Sequence, residues 1–293
     1  MTAECVLDAR ATLGEGAIWD HRRAILVWVD IENGLLNEFD PATGVNTPYV
    51  IGQRVGTVVP TTADRYLLGL ERGIGIFDPV SRGLEIVADP ESDNRDNRMN
   101  DGKCDPRGRF WVGSMSLSRV REAGALYRMD HDFTVKRMIE RVTTSNGIVW
   151  IGDCMYYIDT PTGVVREYTY DEEYGDVSYV RDAVTMPDDA GRPDGMTRDA
   201  NGKLWVAGWG GACVTRWDPV TGELLDRVDV ASSNVTSCAF GGSDLGTLFI
   251  TTARIGVDEA GLAQRPQSGG LFAVRPGVVG RPAAFFPEEP RSR

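Results

Sequence analysis

The stretch GRFWVGSM at residues 108–115 reads as a β-strand entered through a Gly turn, and the chain repeats it along its length. Its counterparts are AILVWVDI (24–31), DRYLLGLE (64–71), CMYYIDT (154–160), GKLWVAGW (202–209) and GTLFITTA (246–253). Each is an apolar, aromatic or β-branched run, the composition that suits a pleated, half-buried surface. Aligned, they place Trp28, Leu67, Trp111, Tyr157, Trp205 and Phe249 in one column, with gaps of 39, 44, 46, 48 and 44 residues. A second motif follows most of them: LNEFDPATG (36–44), IGIFDPVSRG (74–83) and VTRWDPVTGE (214–223). Looser copies are LYRMDHDFT (126–134) and VREYTYDEEYG (165–175), and LFAVRPGVVG (271–280) is a degenerate one. Pro pre-sets φ, Gly accepts positive φ and Asp caps the turn, so this motif predicts a tight hairpin.

A period of roughly 40–50 residues with several short strands in each is the pattern of propeller blades; helical solenoids would show a 3.6-residue apolar period, which is hard to find here. The expectation is an all-β fold, a six-bladed β-propeller with four antiparallel strands per blade, forming a single domain over residues 1–293. Closing the ring leaves few free sheet edges.

The bulk numbers exclude several function classes. A formal net charge of −12 argues against nucleic-acid binding, which needs clustered Lys and Arg. No run approaches the roughly 18 apolar residues of a membrane span, and residues 1–16 carry neither a basic start nor an apolar core of signal-peptide length. A cytoplasmic protein without membrane or nucleic-acid partners is expected. The cysteines, Cys5, Cys104, Cys154, Cys213 and Cys238, are odd in number and lack a CxxC, so a disulfide framework or zinc cluster is not expected. The two histidines, His21 and His131, lie in charged turns, which leaves a Ser-His-Asp triad hard to assemble.

If the aligned column is the second strand of each blade, the inner strand bordering the channel lies about ten residues earlier. Eleven residues before Trp111 is Asn100, eleven before Tyr157 is Asn146, eleven before Trp205 is Asp194, and thirteen before Trp28 is Glu15. Gly follows or nearly follows each. Taken singly, Asn-Gly and Asp-Gly are ordinary turns. At equivalent places in several blades they become oxygen donors converging on one axis, a set suited to a hard or borderline divalent cation.

The motifs LGEGAIWD, RMNDGKCDPRGRFWVGSM, GALYRMD, SNGIVW, YYIDT, RPDGMTRDANGKLWVAGWGG, CAFGGSDLGTLFITTAR and SGGLFAV, in this order over about residues 11 to 275, resemble the senescence marker protein (regucalcin)/gluconolactonase family. The resemblance implies a six-bladed propeller that hydrolyses a sugar lactone with one divalent metal ion, whether calcium, zinc, magnesium, manganese or iron(II). It implies Glu15, Asn146 and Asp194 as metal ligands, Arg98 and Asn100 as substrate-binding residues, and Asp101 as a further pocket position. From that ligand set, Asp194 is the candidate general base toward the attacking water, while also touching the metal. The small-molecule partner would be an aldonolactone. One departure stands out: where many relatives carry acidic residues reaching the sugar, this chain reads GSMSLSRVREAG, with Ser116, Leu117 and Ser118 first and Glu122 only later. An aryl-ester or organophosphate hydrolase on the same scaffold, and a non-catalytic calcium-binding regulator, are the alternative readings.

Overall fold

The computed structural model describes residues 1–288. The column predicted from the repeat falls on the second strand of successive antiparallel units: Trp28 in Ile25–Asp30, Leu67 in Tyr66–Leu70, Trp111 in Phe110–Ser116, Tyr157 in Cys154–Asp159, Trp205 in Leu204–Trp209 and Phe249 in Thr247–Ala253. All of these side chains are buried. Truncating one such aromatic, Trp111 for example, would leave a cavity costing about 3–5 kcal/mol.

The strands assemble into an all-β, propeller-like fold. Four separate four-stranded antiparallel sheets begin with the strands Gly14–Asp20, Val55–Pro60, Asn97–Cys104 and Ser145–Ile151. An eight-stranded sheet holds the rest of the chain. One part of it starts at Arg192–Arg198 and ends at Leu224–Asp229; the other runs from Asn234–Gly241 through Thr247–Ala253 and Leu271–Val274 to Glu4–Leu7. Between the named strands of the two parts there is one residue pair, Trp209 with Asn234, and an isolated bridge from Thr2 to Asp229 adds a second link. The first strands touch in a cycle: Gly14–Asp20 packs on Val55–Pro60, which packs on Asn97–Cys104, and so on through Ser145–Ile151, Arg192–Arg198 and Asn234–Gly241 back to Gly14–Asp20.

Burial falls outward along each sheet. The first two strands are almost wholly buried, whereas fourth strands such as Val45–Val50 and Val135–Val142 alternate or face water. These outer edges carry Pro48, Lys136, Arg137 and Arg141, which discourage pairing with another chain.

Two details differ from the sequence expectation. In DPVSRG the left-handed residue is Arg82 (φ 58°), not the glycine that follows it, because the strand resumes at Gly83. Asp78 still caps the turn, its Oδ1 accepting from the Val80 amide at 2.8 Å. The degenerate copy at 271–280 makes no hairpin. Leu271–Val274 pairs instead with Glu4–Leu7, so the N-terminus supplies the last strand of that sheet. All five cysteines are free thiols.

Candidate active site

Glu15, Asn100, Asn146 and Asp194 all lie in first strands, each at a break in register with the second strand. The register shifts between Glu15 and Ile18, Met99 and Gly102, Ser145 and Ile148, and Pro193 and Met196. Such bulges re-aim side chains next to functional sites. The glycines after these residues are therefore not hairpin turns. At Gly147 a Cβ would stand 2.8 Å from the Asp194 carbonyl oxygen, and at Gly195 one would stand 2.7 Å from that of Thr236. The absent side chains let neighbouring inner strands close on one another, which draws the polar residues together.

The segments leading into these strands are pinned by aspartates at the ends of second strands. Asp30 accepts from the amides of Thr12 and Leu13, at 3.0 Å each, just ahead of Glu15. Asp159 accepts from the amides of Thr143 and Thr144, the latter at 2.8 Å, just ahead of Asn146. These are the aspartates of WVDI and YYIDT, which the repeat contained but whose role only the fold makes visible.

Glu15, Arg98, Asn100, Asn146 and Asp194 line one cavity of ≈ 910 Å³. Asp101 is buried but is not on its wall. A hydrogen-bonded chain crosses the floor. Arg98 Nη1 donates to Asn100 Oδ1 (2.6 Å) and to the Met99 carbonyl (2.9 Å). Asn100 Nδ2 donates to the Ser145 carbonyl (2.6 Å) and to Asn146 Oδ1 (3.2 Å). Asn146 Nδ2 donates to Thr160 Oγ1 (2.7 Å), whose hydroxyl donates to the Pro193 carbonyl (2.8 Å), beside Asp194. Both amides are thus fixed in orientation, with the Asn146 oxygen turned inward. Thr160 was not singled out by sequence reasoning, nor were the wall residues Trp209, Arg119, Arg121 and Arg192.

The carboxylates are far less satisfied. Glu15 Oε2 accepts from the Gly16 amide at 3.0 Å. Asp194 Oδ1 and Asp101 Oδ2 are buried without a hydrogen-bond partner. Burial, and then the nearby charge of Asp101, pushes the Glu15 carboxyl up to about 8. Burial, followed by the charges of Glu15 and Asp101, raises Asp194 well above the usual carboxylate range. Burial likewise raises Asp101, against the attraction of Lys103. Arg98 has no ion-pair partner among the described residues, and burial holds it down to about 10. Three acids crowded in low dielectric with one unpaired guanidinium form an incomplete electrostatic set.

Among the described residues no three His, Cys, Asp or Glu side chains form a metal cluster. The cavity instead joins two carboxylates, Glu15 and Asp194, with the amide oxygen of Asn146. The orphaned Asp194 oxygen and the disfavoured ionisation of the buried acids fit a cation at this point, and the all-oxygen donor set fits a hard divalent ion. The two histidines are elsewhere: His21 stacks on Phe285 and His131 contacts Phe286. Further along the same strands, a second cavity of ≈ 280 Å³ is lined by Trp19, Lys103, Trp150, Arg198 and Phe240. Among the described residues no helix is long and apolar enough to cross a membrane.

Residues 13–254 match the family model described as the SMP-30/Gluconolactonase/LRE-like region. The chain belongs to this family. A Bacillus subtilis (strain 168) protein provisionally named sugar lactone lactonase YvrE is 37% identical over 277 residues, covering 94% of this chain and 95% of the relative. Regucalcin of Danio rerio is 37% identical over 284 residues, covering 95% and 96%. The crystal structure of a calcium-binding protein, regucalcin, from Agrobacterium tumefaciens superposes with a TM-score of 0.91 at 26% identity, over 98% of this chain and 97% of that one. Membership in the SMP-30/gluconolactonase family accords with the motif order read from the sequence.

Proposed function

We propose that the protein is a metal-dependent sugar lactonase built as one six-bladed propeller domain. Support for six blades comes from the cycle of touching first strands and from the sparse pairing that links the two parts of the eight-stranded sheet. The observation that carries the activity is the pair of buried acids, Glu15 and Asp194, left short of partners on the wall of a substrate-sized cavity beside Arg98. The name of the Bacillus relative supports the lactone as substrate.

Glu15, Asn146 and Asp194 would hold one divalent ion, which when bound supplies Lewis acidity at the lactone carbonyl. Calcium, magnesium, manganese, iron(II) and zinc all suit the donors, and calcium is favoured by the description of the Agrobacterium structure. The Asp194 carboxylate takes a proton from the attacking water as its oxygen bonds to the carbonyl carbon. The ring C–O bond then breaks, and the same proton returns to the departing ring oxygen, leaving the open aldonic acid. Arg98 fixes Asn100 through its Nη1 and turns its remaining N–H donors to the hydroxyls of the sugar. The charged wall disfavours the aryl-ester alternative, which needs a more apolar pocket.

The test is a panel of aldonolactones assayed by acid release, after chelation and re-addition of single metals. Turnover lost on chelation and restored by one ion is the expected result. Full turnover after exhaustive chelation would remove the metal from the mechanism. No turnover with any ion, although an ion binds, would favour a non-catalytic calcium-binding role.

A further inference from the structure

We propose that the natural lactone is anionic, carrying a carboxylate or phosphate group at the end remote from the scissile carbonyl, and that Arg119, Arg121 and Arg192 bind that group. The inference rests on the lactonase reading of the same cavity.

The three arginines lie on the cavity wall and come from two elements. Arg119 and Arg121 belong to the loop after the strand Phe110–Ser116, and Arg192 opens the strand Arg192–Arg198. Among the described residues none of the three side chains has an ion-pair partner. Some arginines elsewhere are paired: Arg54 holds Glu32 and Glu71, and Arg141 holds Glu122.

The groups that could balance them are engaged or few. Glu32, on the same wall, accepts from Arg54 Nε at 2.9 Å. Glu122, the one acid in the 116–123 segment, accepts from Arg141 Nε at 2.8 Å and is not on the wall. The hydroxyls of Ser116 and Ser118 both donate to Asp96, at 2.6 and 2.7 Å, and are thereby withdrawn from a ligand. Among the described residues, Asp188 is the remaining wall carboxylate away from Glu15 and Asp194. The loop itself is tied down by the Leu117 amide on the Asp96 carbonyl (2.6 Å) and the Val120 amide on Ser116 Oγ (3.0 Å).

A guanidinium donates hydrogen bonds and accepts none, so this lip answers poorly to a neutral polyol, whose hydroxyls also need acceptors. Carboxylate and phosphate oxygens accept paired N–H bonds and neutralise guanidinium charge. Recognition of a large polyanion is disfavoured by the net charge of −12.

The experiment compares three lactones on the metal-loaded protein: neutral gluconolactone, the glucarolactone that adds a C6 carboxylate, and 6-phosphogluconolactone. At least one anionic lactone should exceed the neutral one in kcat/KM by about 10–100-fold, mainly through KM, and the advantage should shrink with salt. Which one leads separates carboxylate from phosphate. Arg119→Gln with Arg121→Gln, and separately Arg192→Gln, should lower the anionic-to-neutral ratio toward one. A preference for the neutral lactone, or an unchanged ratio in the variants, overturns the proposal. If no lactone turns over, the activity reading falls, and calorimetric binding of glucarate against gluconate still decides the lip. Equal affinity for those two acids would overturn the anion site; tighter, arginine-dependent binding of glucarate would uphold it.

Discussion

Two rows of buried polar residues sit five positions apart: Glu15, Asn100 and Asp194 within the first strands, and Asp20, Asp105 and Asp199 at or just past the ends of those strands. In the second row every member accepts at least two hydrogen bonds, and Asp105 and Asp199 are engaged through both oxygens. Asp105 accepts from the amides of Arg107 and Arg109, from Arg109 Nε at 2.7 Å and from Trp111 Nε1 at 3.0 Å. Asp199 repeats the pattern with the amides of Asn201 and Lys203, with Arg216 Nε at 2.8 Å and with Trp205 Nε1 at 3.2 Å. Asp20 accepts from the amides of Arg22 and Arg23. Each partner comes from the same sheet. In the first row Glu15 and Asp194 line one cavity, and Asp194 keeps an oxygen without any donor. Equal burial with opposite satisfaction separates carboxylates that hold a hairpin from carboxylates kept for a ligand.

The largest effect expected from breaking this contrast is at Asp194. Asp194→Asn should lower kcat by about 10²–10⁴-fold at saturating metal, because the amide keeps an oxygen but cannot take a proton. Metal affinity should fall as well, with the far-ultraviolet spectrum unchanged. Retention of most of kcat would mean that the base lies elsewhere.

The matching change in the second row should act on stability instead. Asp105→Asn leaves Arg109, a buried cation, without its carboxylate and should cost about 3–5 kcal/mol in urea unfolding. Lactonase turnover per folded molecule should hardly change. A variant that unfolds normally but loses turnover would erase the distinction between the rows.

The pH dependence gives a smaller effect with a definite sign. The Glu15 carboxyl titrates at about 8 in the folded chain against an ordinary 4.5. Between those values the folded state keeps a proton that the unfolded state has released, so stability of the metal-free protein falls as pH rises. The contribution is absent below about 4.5 and complete above about 8. Glu15→Gln should flatten this part of the melting-temperature profile, and saturating metal should offset it increasingly toward high pH, with protons released on binding. Identical profiles for the wild type and Glu15→Gln without metal would show that the acids are not under this tension.

Much of this arrangement was legible because it repeats. The column from Trp28 to Phe249 marked the second strands, and stepping back from it found Glu15, Asn100, Asn146 and Asp194 without any knowledge of the fold. Asp105 and Asp199 sit at equally regular positions, yet nothing in the sequence separates them from the axial row, because hydrogen-bond satisfaction depends on Arg109, Trp111, Arg216 and Trp205 folding back. Glu4–Leu7 was missed for the opposite reason: it is a four-residue strand with no aromatic anchor, paired with a strand at the far end of the chain. Glu122 is the one acid in the 116–123 segment, and only the fold shows its carboxylate bound to Arg141, nineteen residues away.

The smallest expected effect concerns Arg98, which belongs to neither row but orients one of them. Its Nη1 donates to both Met99 O and Asn100 Oδ1, and the side chain is buried without an ion pair. Arg98→Lys keeps a positive charge yet replaces a planar fork with a single ammonium, which cannot hold Asn100 and still present paired donors to the sugar. Losing one such charge-assisted bond should raise KM by roughly 10-fold, with a smaller change in kcat, since the bond is made equally to the bound substrate and to the transition state. Steady-state kinetics at saturating metal separates the two parameters. A fall in kcat matching that of Asp194→Asn, with KM unchanged, would instead mean that Arg98 stabilises charge developing at the carbonyl and belongs with the axial acids in the chemistry.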